Sequence, residues 1–324
     1  MRRLALLAAT VLAVSAAPAA RAEQLDLDLT RLGAPDPAVW TTILNGLGGD
    51  PTKAQLYATQ SKQRFALLSS QMGMAISSAM LQPASTTGYS GFAVDMEVAS
   101  AGVKIDPVGV ATAGFGASAW PTESTNPSSL LIPSLHVRKA LPFSFEVGGR
   151  LLWINQSNMY AAQGEAKWAV NEGFEYVPDI AVRAAYTRLL GAKDWNLSTT
   201  DFDVLLSMRL ASRGVVSFTP YVAARFSYVN SSTDRMDFAP CRGGGTTCTL
   251  AATPADTVST QASFPAFSQA FYRTTLGLRF TTYSVSLAVE GTYFGGASLN
   301  SGDQYSGVNV SSTLSFAGKL GWEF

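Results

Sequence analysis

A single histidine and a large set of charged side chains carry most of the chemistry that this chain could perform. His136 is the only histidine, so a catalytic Ser-His dyad would have to use it. Ser134 is two positions away on a predicted strand, about 7 Å along it, which is too far for a direct hydrogen bond. A catalytic partner of His136 on a neighbouring strand remains an alternative. One histidine and two cysteines also argue against a metalloenzyme, so we expect no enzyme, no metal and no cofactor.

The composition narrows the class of protein. Over 324 residues, 23 Lys and Arg balance 23 Asp and Glu, so the chain has no field of one sign with which to bind nucleic acid. Charged residues make up only 14%, against about 25% in soluble globular proteins. After the N-terminal leader, no apolar run approaches the ~20 residues of a membrane-spanning helix. The sequence therefore excludes a helical membrane protein, and we expect no nucleic-acid partner.

The first residues have the anatomy of a secretory signal peptide. Arg2 and Arg3 form a basic head, residues 4–17 are apolar, and small residues surround the predicted cleavage site after Ala22. We therefore predict a signal peptide over residues 1–22. An uncleaved anchor is disfavoured because the apolar run is short and polar residues follow it at once.

The two cysteines, Cys241 and Cys248, are close together in the sequence. In an oxidising compartment this spacing predicts a disulfide that closes a small loop. Two free thiols are the alternative, which export from the cytosol disfavours.

Apolar and polar residues alternate over most of the chain. In residues 201–210, for example, Phe202 and Val204 share one face while Asp201 and Asp203 share the other. Strands of a soluble sheet usually have about five or six residues, whereas a tilted strand that crosses a bilayer needs about nine to eleven. Because the alternating stretches reach the longer length, the pattern predicts a membrane β-barrel.

The predicted fold is an all-β transmembrane protein, an antiparallel up-and-down β-barrel of about 12 strands over residues 68–324. An even number is typical of bacterial barrels, and 10 or 14 strands remain alternatives. Tight connections near residues 142, 213 and 283 indicate the periplasmic rim, and the long segments 231–265 and 298–307 indicate external loops. The predicted strands are 68–82, 89–103, 107–119, 130–140, 143–156, 158–171, 178–190, 195–211, 214–230, 266–281, 283–297 and 308–324.

Aromatic residues recur near the ends of the predicted strands. Rings at these positions are typical of the girdles in which aromatic side chains meet lipid head groups. A sugar-binding track is the less favoured alternative. The residues are Trp153, Tyr160, Trp168, Tyr176, Tyr186, Trp195, Tyr228, Tyr283, Tyr293 and Trp322.

The last predicted strand ends on an aromatic residue. Leu320, Trp322 and the terminal Phe324 share its apolar face. In this respect the sequence resembles Gram-negative outer-membrane proteins, whose final strand ends in Phe. The resemblance implies an outer-membrane location after export, lipid and the barrel assembly machinery as partners, and an assembly signal formed by Trp322 and Phe324.

Residues 23–67 lack the alternation and form a separate predicted unit. Asp36-Pro37 and Asp50-Pro51 are typical helix starts, so we predict two short helices that plug the barrel or cover its periplasmic mouth. The arrangement is similar, as an analogy, to the hatch of the long-chain fatty-acid transporter family, although the Asn-Pro-Ala signature of that family is absent.

If the apolar faces meet lipid, the polar faces line the lumen. The charges there are balanced in sign, so they could line a narrow wet pore or pair with one another across the lumen. The predicted lining residues are Asp95, Glu97, His136, Arg138, Glu146, Arg150, Glu165, Lys167, Arg183, Asp201, Asp203, Arg209, Arg225, Arg273, Arg279 and Glu290.

These features predict a channel for the passive passage of small solutes, with hydrophobic solutes as candidates if the helices act as a hatch. The alternative is a closed structural or adhesive barrel that acts through its extracellular loops. Two features discriminate between them: whether the lumen charges pair, and whether residues 36–67 occupy the lumen.

Overall fold

The structure is a computed structural model, and it describes part of the chain. The described residues are 25–46, 49–104, 108, 120–122, 127–174, 176–213, 216–238, 260–299, 305 and 308–324. The predicted signal peptide with its cleavage site after Ala22, both cysteines and nearly all of the predicted strand 107–119 lie outside these residues. Within the described ranges, no helix combines the length and the apolar character needed to span a membrane.

Ten long strands form a closed antiparallel barrel. Each strand pairs with the next in the chain, and β1 pairs with β10 to close the ring. The strands are β1 Phe92–Gly102, β2 Ser129–Leu141, β3 Phe145–Trp153, β4 Tyr160–Asn171, β5 Asp179–Leu190, β6 Trp195–Ser207, β7 Val216–Thr233, β8 Phe267–Thr282, β9 Val285–Phe294 and β10 Thr313–Glu323.

Short strands extend the barrel beyond its ten long strands. The strand Ala211–Arg213 pairs with the start of β7. Two further pairs belong to the connections after β7 and β9, and they are Met236–Asp237 with Gln261–Ala262 and Ala297–Leu299 with Val308–Val310.

The expected count of about 12 strands is not confirmed, and the predicted strand 68–82 is wrong. Residues 68–76 continue a helix, and no strand covers the rest of that range. Phe65, Leu68, Met72 and Ile76 are spaced three and four apart, which is the helical period and not the alternation of a strand.

The two ends of the barrel differ in their connections. At one end, residues 142–144 and 283–284 form tight turns, in which Phe143, Ser144 and Tyr283 adopt positive φ angles. We call this the tight-turn end. At the other end, long segments connect β1 to β2, β7 to β8 and β9 to β10, and we call this the long-loop end.

The barrel is apolar on the outside. Its exposed outward side chains include Met96, Val98, Leu135, Val137, Leu151, Val182, Val204, Leu206, Val222, Leu276, Leu287, Val289 and Leu320. Most of the predicted girdle aromatics are exposed on this surface, but the prediction that Trp195 belongs to the girdle is wrong. Its ring is buried inside, because it starts β6 on the inward phase, and its indole nitrogen donates to Ser231 Oγ at 2.7 Å.

Between residue 25 and the barrel, the described residues form two helices, α1 Pro37–Gly46 and α2 Ala54–Ile76, with short 3-10 turns at Leu29–Leu32 and Pro51–Lys53. Asp36 accepts a hydrogen bond from the Ala38 amide at the start of α1. α2 is longer than predicted: the predicted helical unit ends at residue 67, whereas α2 ends at Ile76.

The helical segment lies at the long-loop end. Asn158, in the connection between β3 and β4, donates to Asp26. Phe65 of α2 stacks on Phe264 with ring centroids 4.5 Å apart, and Ser69 bonds to Ser231 near the end of β7 at 2.9 Å. The C-terminal half of α2 therefore enters the barrel from the long-loop end.

Candidate functional site in the lumen

An extended segment follows α2 into the lumen. Residues 77–87, which we call the strap, have no regular secondary structure and lead from the end of α2 towards β1. Because residues 77–84 are buried, their backbone N–H and C=O groups need partners other than bulk water. The charged wall supplies them.

The first contact is made at the end of α2, where two arginines meet one carbonyl. Ser77 O accepts hydrogen bonds from Arg225 Nη1 at 2.6 Å and from Arg273 Nη1 at 2.8 Å. Ser77 caps α2, so both cations lie where the helix dipole favours positive charge. The guanidinium of Arg273 also lies 4.9 Å from the centroid of the Phe294 ring.

Glu290 binds the middle of the strap. Its two carboxylate oxygens accept from the consecutive amides of Met80 and Leu81, each at 2.6 Å. Leu81 has a φ of 54°, in the left-handed region that is uncommon for non-glycine residues. Tyr221 donates to the same carboxylate at 2.9 Å. The Tyr221 ring fits only because Gly277 has no side chain, since a Cβ there would be 2.1 Å from the ring.

The neighbouring carbonyls are bound by Arg150. Its Nη1 donates to Ala79 O at 2.6 Å and its Nη2 to Met80 O at 3.2 Å. Its Nε lies 2.8 Å from Glu97. One buried guanidinium thus joins the strap to a carboxylate of β1.

The lower part of the strap is bound mainly by Lys167. The ammonium donates to Gln82 Oε1 at 3.1 Å and to the carbonyls of Pro83 and Ser85 at 3.3 and 3.0 Å. Towards the tight-turn end, the Thr87 amide donates to Glu146 at 2.9 Å. Charged wall residues therefore hold the strap along most of its length.

The same wall residues also pair with one another. Arg138 lies 2.9 Å from Asp95 and 3.2 Å from Glu146, Lys319 is 3.2 Å from Asp95, and Lys167 is 3.0 Å from Glu146. These contacts form one network that includes both sides of the β1–β10 seam.

A second network surrounds the histidine. His136 Nδ1 is 3.0 Å from Glu97 and Nε2 is 3.1 Å from Glu165. Glu165 pairs with Arg183 at 2.6 Å. The contacts continue to Asp203, which accepts from both Arg183 and Arg225.

All of the predicted lining residues are buried except Arg209, which is exposed. Arg209 follows the end of β6 at the rim of the tight-turn end, so its guanidinium reaches open space at the mouth. The structure joins most of the others into the networks above, which is the paired arrangement and not a free pore lining.

Asp95, Glu97 and His136 offer atoms that lie within 4.8 Å of one another, a spacing compatible with a metal ion. Each carboxylate already faces a cation, however: Asp95 faces Arg138 and Lys319, and Glu97 faces Arg150. The negative charge that a cation would need is therefore already neutralised.

The strap itself was missed by sequence reasoning, as was the role of Gln82. The signal was available in SSAMLQPASTT, where Pro83 and a run of Ser and Thr are typical of irregular structure. Partners of the strap lie far away in the chain, so the sequence alone could not identify the contacts.

Comparisons with known proteins identify no family for this chain. No protein-family model matches the chain, and no curated protein matches it. Among solved structures, the N-terminal barrel domain of Pseudomonas aeruginosa OprF matches at 8% identity with a TM-score of 0.31, covering 73% of this chain and 99% of that one.

Two further solved structures have similar values. Ail of Yersinia pestis matches at 9% identity with a TM-score of 0.25, over 73% of this chain and 100% of that one. OmpT of Vibrio cholerae matches at 9% identity with a TM-score of 0.27, over 61% and 56%. At these identities and TM-scores the likeness carries no argument.

The architecture decides the class instead. A closed antiparallel barrel with an apolar exterior and a charged interior satisfies every requirement of a membrane-spanning β structure. The protein is an outer-membrane β-barrel. Because short turns usually face the periplasm, we expect the tight-turn end to be periplasmic and the helical segment to lie on the outer side.

Proposed function

We propose that the protein is an outer-membrane channel for small solutes that is closed by its own strap. The wall and the strap bind each other through polar groups, so release of these contacts exposes charged side chains that water can solvate while the strap stays in the lumen. The charged wall favours polar solutes over hydrophobic ones.

The observation that carries the proposal is that wall charges bind the strap through its backbone. A lumen that never opens gains more from apolar packing, since replacing buried ion pairs by well-packed apolar residues is often neutral or stabilising. Here Arg150, Lys167 and Glu290 bind amides and carbonyls, and water can replace such bonds one for one. The wall is thus compatible with both a closed and a water-filled state.

Conductance in a planar bilayer tests the proposal with two matched truncations. One mature chain begins at residue 68 and keeps the strap, and the other begins at residue 88 and lacks it. We expect the full mature chain and the first truncation to be silent and the second to conduct steadily. Silence of a folded second truncation contradicts a channel.

A point substitution in the full chain gives a milder version of the test. Glu290→Ala removes the acceptor of two strap amides, so we expect brief openings that the unsubstituted chain lacks. Glu172→Ala is the matched control, because Glu172 binds only the periplasmic end of the strap at Thr86. More openings in the control than in Glu290→Ala would contradict a gate centred on Glu290.

One observation favours the closed, adhesive alternative as a second candidate. The helical segment shares an apolar core with the connections of the long-loop end, including Phe65 with Phe264 and Phe267 with Tyr305. A folded cap of this kind could present a binding surface outside the cell. Silence of all conductance variants, with folding confirmed, is the result that this candidate requires.

A further inference from the structure

A polar cavity of about 450 Å³ opens at the tight-turn end beside the strap. Arg209, Arg279 and Glu323 line it together with the strap residues Thr86 and Thr87 and with further hydroxyl groups. Its volume is within the range of ~300 to 1,000 Å³ of small-molecule sites. A molecule bound there would touch the strap directly.

Three buried polar atoms of the lining residues have no hydrogen-bond partner among the described residues. They are Arg279 Nε, Thr87 Oγ1 and Glu323 Oε1. Arg279 is only 9% exposed, and its Nη2 donates to Glu323, while Glu323 Oε1 lies 4.0 Å from Arg138 Nη2. Buried polar atoms in native proteins are nearly always paired, so the residues that line this cavity have hydrogen-bonding capacity that the rest of the described chain does not use.

The charges of the cavity define the ligand that it would accept. Two guanidinium groups and one carboxylate leave a net positive charge, which favours an anion. The lining hydroxyls and the free oxygen of Glu323 favour a ligand that also carries hydroxyl groups. An adjacent cavity of about 750 Å³ shares Arg209 but is lined by Glu172 and Asp179 as well, so its charge disfavours an anion.

We propose that the cavity beside Arg209 and Arg279 binds a small hydroxylated anion, of the class of sugar acids, at the periplasmic mouth. The anionic group bonds to the guanidinium groups, and a hydroxyl donates to Glu323. The site deepens the proposed channel function, because it places a solute against the strap residues that close the lumen.

Calorimetric titration of the refolded mature protein with gluconate tests the site. Arg209→Gln removes one guanidinium at an exposed position, so folding is retained, and we expect about tenfold weaker binding from the loss of a charge-assisted hydrogen bond. Lys193→Gln is the matched control, because it removes one positive charge from an exposed turn at the long-loop end, and we expect unchanged affinity. Sorbitol, the neutral polyol, is expected not to bind.

Equal affinity of the parent and Arg209→Gln would overturn the site, as would equal weakening by Lys193→Gln. Acetate that binds as tightly as gluconate would overturn the role of the hydroxyl groups. Binding does not depend on conduction, so gluconate binding by a protein whose truncations are silent supports the site and contradicts the channel. Conductance of the second truncation, without gluconate binding by the mature protein, supports the channel and overturns the site.

Discussion

The two halves of the lumen solve the same problem in different ways. In the long-loop half the inner wall is apolar, and it packs against α2. In the tight-turn half the inner wall is charged, and it binds the strap. The apolar wall residues are Leu130, Ile132, Leu152, Leu189, Leu197, Val229, Phe267, Phe271 and Phe294.

The wall changes from apolar to charged at the point where the enclosed segment changes from helix to extended chain. A helix satisfies its own backbone hydrogen bonds and can lie against apolar side chains. An extended segment cannot, so each buried amide and carbonyl requires a polar partner. The wall changes at Ser77, where α2 ends and Arg225 and Arg273 begin to bind the chain. The pattern of the wall therefore follows the secondary structure of the segment that it encloses.

The largest expected effect comes from breaking the charged half. Asp203→Leu leaves Arg183 and Arg225 without a shared buried partner. We expect a loss of about 3 to 5 kcal/mol in the free energy of unfolding, measured by urea titration in lipid vesicles. The control is Phe202→Leu on the outward face of the same strand, which should cost far less. A loss no larger than that of the control would contradict a tightly paired wall.

The apolar half should respond differently to a cavity. Phe65 is fully buried and stacked on Phe264, so Phe65→Ala should cost about 3 kcal/mol. We expect the loss to appear in the helical segment, as faster proteolysis of α2, while the barrel strands keep their resistance. Simultaneous unfolding of both would show that the two halves form one cooperative unit.

A close contact between α2 and the wall gives a smaller effect. A Cβ at Gly73 would lie 2.6 Å from Val229 Cγ1, so Gly73→Ala forces an overpacked contact worth about 1 to 3 kcal/mol. The gain in helix propensity, about 1 kcal/mol, offsets part of it. Adding Val229→Ala should restore stability to the level of Val229→Ala alone. The double-mutant cycle measures this coupling, and additive losses would contradict the contact.

The smallest expected effect is a pH response at the 3-10 turn Pro51–Lys53, which precedes α2 and is capped by Asp50. Asp50 is fully exposed and accepts from the Thr52 hydroxyl at 2.6 Å and from the Thr52 amide at 3.0 Å. These bonds lower the pKa of Asp50 from its ordinary value of 3.8.

Because this pKa is lowered in the folded chain, the cap stabilises the 3-10 turn above pH 3.8 and is lost as the pH falls through the lowered value. Hydrogen exchange of the Thr52 amide should therefore quicken in acid beyond its intrinsic rate. Asp50→Asn should abolish the pH response, and an unchanged response in that variant would assign it to another group.

The sequence predicts the barrel strands well because a strand that faces lipid on one side and the lumen on the other must alternate apolar and polar residues. The prediction 178–190 matches Asp179–Leu190 closely, since one face meets lipid and the other meets charge. The same logic fails for residues 68–82. The C-terminal half of α2 is buried on all sides, so apolar residues such as Leu67 and Met74 lie outside the row at three-and-four spacing and obscure the helical period.

The candidate site can be predicted only in part from the sequence. Alternation identifies which charges point inward, but it cannot state their partners. Glu290 binds amides some 210 positions earlier in the chain, and nothing local to either residue indicates that contact. Trp195 was misplaced for a related reason, since a ring at a strand end can face lipid or the interior.

The strap also sets the order of events when the protein is made. The helical segment lies at one end of the barrel and β1 begins near the other, so the strap passes through the lumen from end to end. A helix is about 10 to 12 Å across with its side chains, and the finished lumen is already filled by the strap. The N-terminal segment must therefore cross while β1 and β10 are still apart. The pairing of Phe92 with Phe324 and of Asp95 with Lys319 then encloses it, so we expect the seam between β1 and β10 to close after the segment has entered.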